Sequence, residues 1–409
     1  MRSRTAYLAI LLSCLSAIAF FDYFSTSFRF TMTTYVRREF NLEFGSMAAL
    51  TTWVYVGSFL AFIPRLLADV VGRRIMLWIT TIGLCICPWW LSQASSATEY
   101  IVVLAVLAAV YKSDIWLLVI SEESPSARRG LFAAIPAMIG MGGSILMAGM
   151  IRRMGDAPDG WRWIARFPIW GLLVCLPLLL FVRESRHFRE LIRSDQRRWS
   201  PSFIFRPWRR TMRGRLLAMC ALQMLLTGLA TAGMLLVGSE YLRVSNRLDQ
   251  AVVGRLVQWE VIASIVAAVC AGFVGDWIGR RWGIATFGVL FSLGLFSLAN
   301  APTGSKTVMI AYVVQSFAAT AVNTTLRLTT LELFPSDCRA TAAAWAELLM
   351  TVMAACVTWA IGQLTKGGSI NQPIMTLSGM IAILAGGVLL ALPLLWFLPE
   401  TKGRSLEIA

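Results

Sequence analysis

The feature that most constrains this chain is a series of apolar runs, each about 20 residues long, separated by short polar segments. As a helix, a run of about 20 residues matches the hydrocarbon core of a bilayer. A helix also satisfies every backbone amide within its own segment, which lipid demands. We therefore predict an all-α integral membrane fold with twelve spans, at residues 6–28, 46–66, 75–95, 99–120, 131–151, 164–182, 216–239, 251–274, 283–300, 307–329, 341–364 and 374–398.

Composition agrees with lipid as the main solvent. The chain is 57% hydrophobic and 14% charged, whereas soluble domains are about 25% charged. The net charge of +15 does not indicate nucleic-acid binding, because the basic residues lie in short loops and form no continuous stripe. We expect the partners to be a small-molecule solute, protons and the lipid bilayer, and we expect a monomer.

One hydrophilic segment, residues 183–215, divides the predicted spans six and six. It holds eleven of the 37 lysines and arginines, and basic loops stay in the cytoplasm. We therefore expect a multi-pass cell-membrane protein with both termini cytoplasmic, and a first apolar run that is retained rather than cleaved as a signal peptide. The predicted divisions are residues 1–182, 183–215, 216–398 and 399–409.

A short charged phrase occurs twice. "ADVVGRR" lies between spans 2 and 3, and "GDWIGRR" lies between spans 8 and 9, with Asp69 and Asp276 207 residues apart. "EESPSARRG" and "ELFPSDCRA" recur after spans 4 and 10, and "RES" (Glu184) and "PET" (Glu400) recur after spans 6 and 12. Three phrases in the same order indicate two copies of one six-helix unit, an architecture of secondary transporters.

These phrases resemble those of the major facilitator superfamily. "PETKGRSLE", "RESRHF" and "WRW" are similar to the sugar-porter and metabolite:proton symporter branch. The chain departs from that branch in three places. Arg65 replaces the leading glycine of the first loop motif, span 4 lacks an arginine at its start, and span 7 offers only Gln223 where sugar porters carry paired glutamines.

The resemblance implies that the repeated loops form a cytoplasmic gate. In this interpretation Glu122 and Glu332 pair with the loop arginines and separate when the cytoplasmic side opens. Plain anchoring by positive charge is the alternative, although it does not explain why Asp and Gly recur at fixed positions. The predicted gating residues are Asp69, Gly72, Arg73, Arg74, Glu122, Arg129, Gly272, Asp276, Gly279, Arg280, Arg281, Glu332 and Arg339.

Ionisable residues inside spans are costly and are functional candidates by default. We predict Asp22, Glu260 and Glu347 as proton-coupling candidates, with Asp22 first because no basic residue lies near it in its own span. A structural Asp22 is the alternative, as is a structural pair between Arg327 and Glu347. The candidates for the substrate cavity are Lys112, Asp114, Arg327 and Gln223.

The predicted function is transport of a small organic solute by alternating access, with proton-coupled symport. The cationic cavity candidates favour an organic anion. A proton-coupled exporter that runs in antiport is one alternative, and a transport-inactive sensor or scaffold is another. The chain has a single histidine, no metal-ligand spacing and no Walker loop, so we expect no metal, no cofactor and no enzymatic activity.

Overall fold

The computed structural model describes residues 2–401 apart from residues 62, 65–66, 69–70, 112, 114, 125–128, 155–156, 158, 185–206, 211, 335–338 and 367–374. Within this part the chain is helical and contains no β-strand. The predicted all-α membrane fold is therefore confirmed.

The α-helices follow one another along the chain with short connections. They are α1 (Arg2–Thr31), α2 (Thr33–Glu39), α3 (Phe44–Leu60), α4 (Arg73–Leu91), α5 (Ala97–Tyr111), α6 (Ile115–Glu123), α7 (Arg129–Met154), α8 (Gly160–Arg166), α9 (Gly171–Leu180), α10 (Arg213–Leu222), α11 (Ala232–Glu240), α12 (Gln250–Ile278), α13 (Arg280–Asn300), α14 (Lys306–Leu333), α15 (Arg339–Lys366) and α16 (Leu377–Ala391).

Eleven helical segments of the described residues are long and apolar enough to cross a membrane. The remaining predicted span, the second at residues 46–66, corresponds to α3, whose described part has 17 residues. The chain is thus a multi-pass membrane protein. The sixth span starts at Gly160, so Arg162, which we had placed in an outer loop, lies in the first turn of a helix.

At least three described spans depart from a plain α-helix, and the twelfth does so through a 3-10 segment at Leu392–Phe397. The sixth contains a 3-10 segment at Phe167–Trp170, where Pro168 cannot donate a backbone hydrogen bond to the preceding turn. The seventh runs from Arg213 to Ser245 and contains two π-helical segments, Gln223–Thr231 and Tyr241–Ser245.

The chain divides into two compact units. The first comprises residues 1–42 and 53–199, and the second comprises residues 43–52 and 200–409. The start of α3 therefore groups with the second unit, although we predicted that residues 1–182 form one half.

In the first unit α1 lies against α7, and glycines allow the two backbones to approach closely. A Cβ atom at Gly143 would lie 2.1 Å from the carbonyl oxygen of Phe20, and one at Gly140 would lie 2.7 Å from the Tyr23 ring. The Ser27 hydroxyl donates a hydrogen bond to Ser144 Oγ at 2.7 Å. The small residues of "IGMGGSI" (139–145) thus permit close packing of the two helices.

The second unit has a continuous apolar core drawn from α10 to α16. Two of its helices, α14 and α16, begin where short polar side chains cap the free backbone amides. Ser305 Oγ accepts from the Val308 amide at 3.4 Å, and Thr376 Oγ1 accepts from the Gly379 amide at 3.2 Å. Such caps stabilise a helix by about 0.5–2 kcal/mol each.

Candidate functional site

The glycine of each repeated loop has a backbone conformation that other residues rarely adopt. Gly72 has φ 119° and ψ 148°, and Gly279 has φ 100° and ψ 157°. This region of positive φ and extended ψ is essentially restricted to glycine. The two glycines therefore recur because each one turns the chain immediately before α4 or α13 begins.

A carboxylate caps the helix that follows each of these glycines. Glu184 Oε1 accepts hydrogen bonds from the backbone amides of Arg73 at 2.9 Å and Arg74 at 3.3 Å. Glu400 accepts from the corresponding amides of Arg280 at 2.8 Å and Arg281 at 3.2 Å. A negative charge at a helix N-terminus satisfies free amides and complements the helix dipole.

In the second unit Arg280 joins the loop to the end of α14. Its Nη2 lies 2.9 Å from Glu332 Oε1, and its Nε donates to both carboxylate oxygens at 3.2 Å. The Thr401 hydroxyl donates to Glu332 Oε2 at 2.7 Å. The side chains of Arg280 and Glu332 are only 12% and 19% exposed, so this is a partly buried, charge-assisted pair.

Asp276 contributes less to this cluster than its place in the motif suggests. It pairs with Arg280 Nη2 at 2.8 Å, but its side chain is 70% exposed. It lies in the last turn of α12, where the helix dipole disfavours a negative charge.

The close approach in this loop occurs at Gly275, which was not among the predicted gating residues. A Cβ atom at Gly275 would lie 2.5 Å from Arg280 Nη1, whereas a Cβ atom at Gly272 would meet nothing within 4 Å. Gly275 therefore makes room for the guanidinium group. Gly272, the leading glycine of the motif, makes no close contact.

The first-unit gate can be compared only in part. Arg73 is buried and its Nη1 donates to the Ala68 carbonyl oxygen at 2.9 Å. Asp69 and the side chains of Glu122, Arg129 and Arg339 lie outside the described residues. Their predicted pairings therefore stay predictions.

Asp22 is buried in the middle of α1, with 5% of its surface exposed. The Trp116 indole Nε1 of α6 donates a hydrogen bond to Asp22 Oδ2 at 2.9 Å. Trp116 is itself buried. This contact fixes the position of the carboxylate across two helices of the first unit.

Glu260 is half-buried on α12, where the Tyr312 hydroxyl of α14 donates to Glu260 Oε2 at 2.8 Å. Ser316, one turn further along α14, also hydrogen-bonds this carboxylate. Each of the two units therefore contains an intramembrane carboxylate bound by side chains of a second helix.

No hydrogen bond or ion pair joins Arg327, Glu347 and Gln223, the remaining intramembrane candidates that the structure describes. Arg327 is exposed and forms no ion pair with Glu347 or with any other part of the described chain, so the predicted structural pair is absent there. Glu347 is half-buried on α15, and Gln223 is buried at the start of the first π segment. Lys112 and Asp114 lie outside the described residues.

A groove of about 450 Å³ lies between α12 and α14 in the second unit, near their predicted outer ends. Arg255 and Trp259 line it together with aliphatic side chains. Arg255 is exposed and has no partner among the described residues. The groove therefore presents a cation beside an aromatic ring.

Solved transporter structures share this fold. A D-xylose-proton symporter aligns with a TM-score of 0.75 at 18% identity, covering 98% of this chain and 99% of that one. The nucleoside transporter NupG aligns with a TM-score of 0.77 at 13% identity, covering 96% and 100%. XylE, a proton:xylose symporter of the major facilitator superfamily, aligns with a TM-score of 0.68 at 17% identity, covering 98% of each chain.

The chain has the major facilitator fold. No family model matches its sequence, and neither does any curated protein.

Within this fold, sequence reasoning missed four contacts. The two caps, Glu184 and Glu400, were recognised only as landmarks of the repeat. Trp116 lies in an apolar run, and nothing in the sequence indicated that it binds Asp22. The partner of Glu260, Tyr312, carried no motif. Each contact joins residues that are distant in sequence, so only the folded helices bring them together.

The described residues of this chain contain no group of three or more His, Cys, Asp or Glu side chains that could hold a metal ion. Their chemistry is that of carboxylates, arginines and hydroxyl groups at helix contacts. Such groups can bind and release protons, hold a charged solute and form ion pairs that open and close.

Proposed function

We propose that this chain is a secondary transporter of the cell membrane that moves a small organic solute by alternating access. The main support is the major facilitator fold over nearly the whole chain, shared with proteins named as xylose and nucleoside transporters. The two-unit division and the repeated loops are consistent with two structural repeats, as in secondary transporters. The proposed role is transport rather than catalysis, with both termini in the cytoplasm.

We infer that Asp22 carries the coupled proton. This inference rests on one observation: the Asp22 carboxylate is buried within a span and accepts a hydrogen bond from the Trp116 indole. An ionised carboxylate resists burial, and protonation removes that cost. The indole bond holds the group in place and leaves protonation chemically possible.

The proton cycle follows from this property. When the outer side is open, water reaches Asp22 and the carboxylate takes a proton. The neutral group no longer opposes closure of the outer side, which would otherwise have to desolvate a charge. When the inner side opens, Asp22 releases the proton and the transporter returns.

The charges in the second unit support an organic anion as the solute. Arg255 and Arg327 have no carboxylate partner among the described residues, and Arg255 lies beside Trp259 in the groove between α12 and α14. An arginine attracts a carboxylate, and an adjacent indole suits an apolar or aromatic body. Lys112 is a further cationic candidate from the sequence.

The Arg280–Glu332–Thr401 cluster is proposed to be the cytoplasmic gate of the second unit. Its ion pair is mostly shielded from water and is held by the end of the last span through Thr401. Such a pair stabilises the state in which the cytoplasmic side is closed. Opening separates the partners and exposes them to water.

The deciding experiment compares the wild type with Asp22→Asn in proteoliposomes, once a solute has been found by a thermal-shift screen of organic anions on purified protein. The asparagine Oδ1 still accepts the Trp116 hydrogen bond, so the local structure is preserved. We expect loss of accumulation driven by an inward proton gradient, with exchange of labelled solute retained. Glu260→Gln is the matched control in the other unit and should keep both activities.

If Asp22→Asn still accumulates solute, another residue carries the coupled proton, and Glu260 and Glu347 are the next candidates. Loss of exchange as well as accumulation would assign Asp22 a substrate or structural role instead. Solute efflux driven by inward proton flow in the wild type would show an exporter. Absence of any flux for every solute that binds would favour a sensor or scaffold.

A further inference from the structure

A second groove of the second unit lies where α13 begins and the last span ends. Its cavity volume is about 340 Å³. The 3-10 segment Leu392–Phe397 continues α16 along one wall, and the first turns of α13 form the other. The lining residues are Arg281, Trp282, Ala285, Leu389, Leu392, Pro393, Leu395 and Trp396.

Arg281 is the single charged side chain of this lining. Its guanidinium lies 4.2 Å above the centre of the Trp396 ring. The neighbouring Arg280 is engaged by Glu332 and Asp276, whereas Arg281 forms no ion pair and its side chain no hydrogen bond within the described part of the chain. Stacking on the indole orients the guanidinium and leaves its N–H donors available.

The groove has the layout of a membrane interface. Trp282 and Trp396 are 56% and 72% exposed and stand at the ends of their spans, where tryptophans lie at headgroup level. From Arg281 the walls continue along Ala285 and Leu389 towards the interior of the spans. A cation at one end and an apolar channel below it match a lipid headgroup and its acyl chain.

The first unit provides an internal comparison. By the repeat offsets of 207 and 216 residues, Arg74 corresponds to Arg281 and Leu180 corresponds to Trp396. Arg74 Nη2 donates to the Leu180 carbonyl oxygen at 3.4 Å, so its guanidinium is partly used by the protein. The equivalent of Trp282 is Ile75. The free guanidinium between two tryptophans is therefore a property of the second copy of the loop.

We propose that this groove binds an anionic phospholipid, with the lipid phosphate on the Arg281 guanidinium and an acyl chain along Ala285, Leu389 and Leu392. Charge complementarity selects an anionic headgroup, because Arg281 lines the groove and no acidic side chain of the described residues does. The headgroup also lies next to the gate, because Glu400 accepts from the amides of both Arg280 and Arg281. This site is independent of the solute pathway proposed above.

The test is lipid titration of the purified, delipidated full-length protein, followed by native mass spectrometry. The probes are dioleoyl phosphatidylglycerol and, for comparison, dioleoyl phosphatidylcholine with the same acyl chains. Arg281→Gln should weaken phosphatidylglycerol binding about fivefold, the contribution of one basic residue at a membrane surface. Arg74→Gln, the matched variant in the first unit, should leave it unchanged.

Trp396→Leu restores the residue found at the equivalent place in the first unit and keeps the positive charge. We expect it to weaken phosphatidylglycerol binding roughly two- to fivefold, because the guanidinium loses its stacking surface. Unfolding temperatures of the lipid-free variants should match the wild type, since both substitutions leave the Glu400 cap in place.

Three outcomes would overturn the proposal. The first is equal binding of the two lipids by the wild type, and the second is equal loss in Arg281→Gln and Arg74→Gln. The third is a lipid-independent dimer that Trp396→Leu abolishes, because a second copy of the chain would then occupy the groove.

Discussion

Replacement of Glu332 by glutamine should destabilise the second unit far more than replacement of Asp276 by asparagine, although both carboxylates bind Arg280. Glu332 receives three contacts from the guanidinium and one from the Thr401 hydroxyl, and both partners of the pair are mostly buried. Hydrogen bonds to charged groups contribute about 1.5–3 kcal/mol each when formed away from water. Asp276 is mostly exposed, and exposed pairs of this spacing contribute about 0.3–0.5 kcal/mol.

We therefore expect Glu332→Gln to lower the free energy of unfolding by about 2–3 kcal/mol, because Arg280 is left partly buried without its main counter-charge. Asp276→Asn should lower it by less than about 0.5 kcal/mol. The measurement is equilibrium unfolding of the purified protein in mixed detergent micelles. Each variant should be compared with the wild type at the same salt concentration.

A double-mutant cycle with Arg280→Gln tests the reasoning directly. If the pair is responsible, the coupling energy between Arg280 and Glu332 should be about 2 kcal/mol, within the range for residues in contact. A coupling energy below about 0.5 kcal/mol, or an equal loss in Asp276→Asn, would refute the assignment of Glu332 as the principal partner.

Five further substitutions have defined outcomes. Glu400→Gln should lower the free energy of unfolding by about 1 kcal/mol, because the helix loses a charged cap. Glu184→Gln should lower it by the same amount in the first unit. A loss of stability in only one of the two variants would contradict the equivalence of the two caps. Gly143→Ala should prevent close packing of α1 on α7, so that size-exclusion chromatography shows no folded protein. Gly142→Ala is the control and should be tolerated, because its added Cβ would meet only the Phe20 ring at 3.7 Å. Arg162→Gln should lower the melting temperature of the first unit without changing solute exchange, because this side chain binds Glu39 and the carbonyl oxygens of the turn after α4.

The local part of the candidate site could be predicted from the sequence. The repeated phrase identified Gly72 and Gly279, and both have the positive φ that requires glycine. It also indicated that Glu332 would pair with a loop arginine, and the pair with Arg280 is present. These predictions succeeded because a residue that recurs at the same position in both copies of the repeat indicates a structural requirement at that position.

The long-range contacts could not be predicted in the same way. Which buried carboxylate meets which donor depends on how two helices rotate about their axes, as Asp22 and Trp116 illustrate. The Arg280 guanidinium packs against Gly275 and not against Gly272. The rotamer of Arg280 therefore determines which position cannot carry a side chain. The π-helical segments of the seventh span likewise lie in a sequence that reads as an ordinary apolar helix.

The two carboxylate caps also impose an order on biosynthesis. Arg73 precedes its cap Glu184 by 111 residues, and Arg280 precedes Glu400 by 120. At translation rates of about 5–20 residues per second, the start of each capped helix waits roughly 6–24 s for its partner to leave the ribosome. Because each cap comes from the same copy of the repeat, the first copy can close before the second has been synthesised. In each copy of the repeat, the capped helix is therefore completed only when the capping glutamate near the end of that copy has been synthesised.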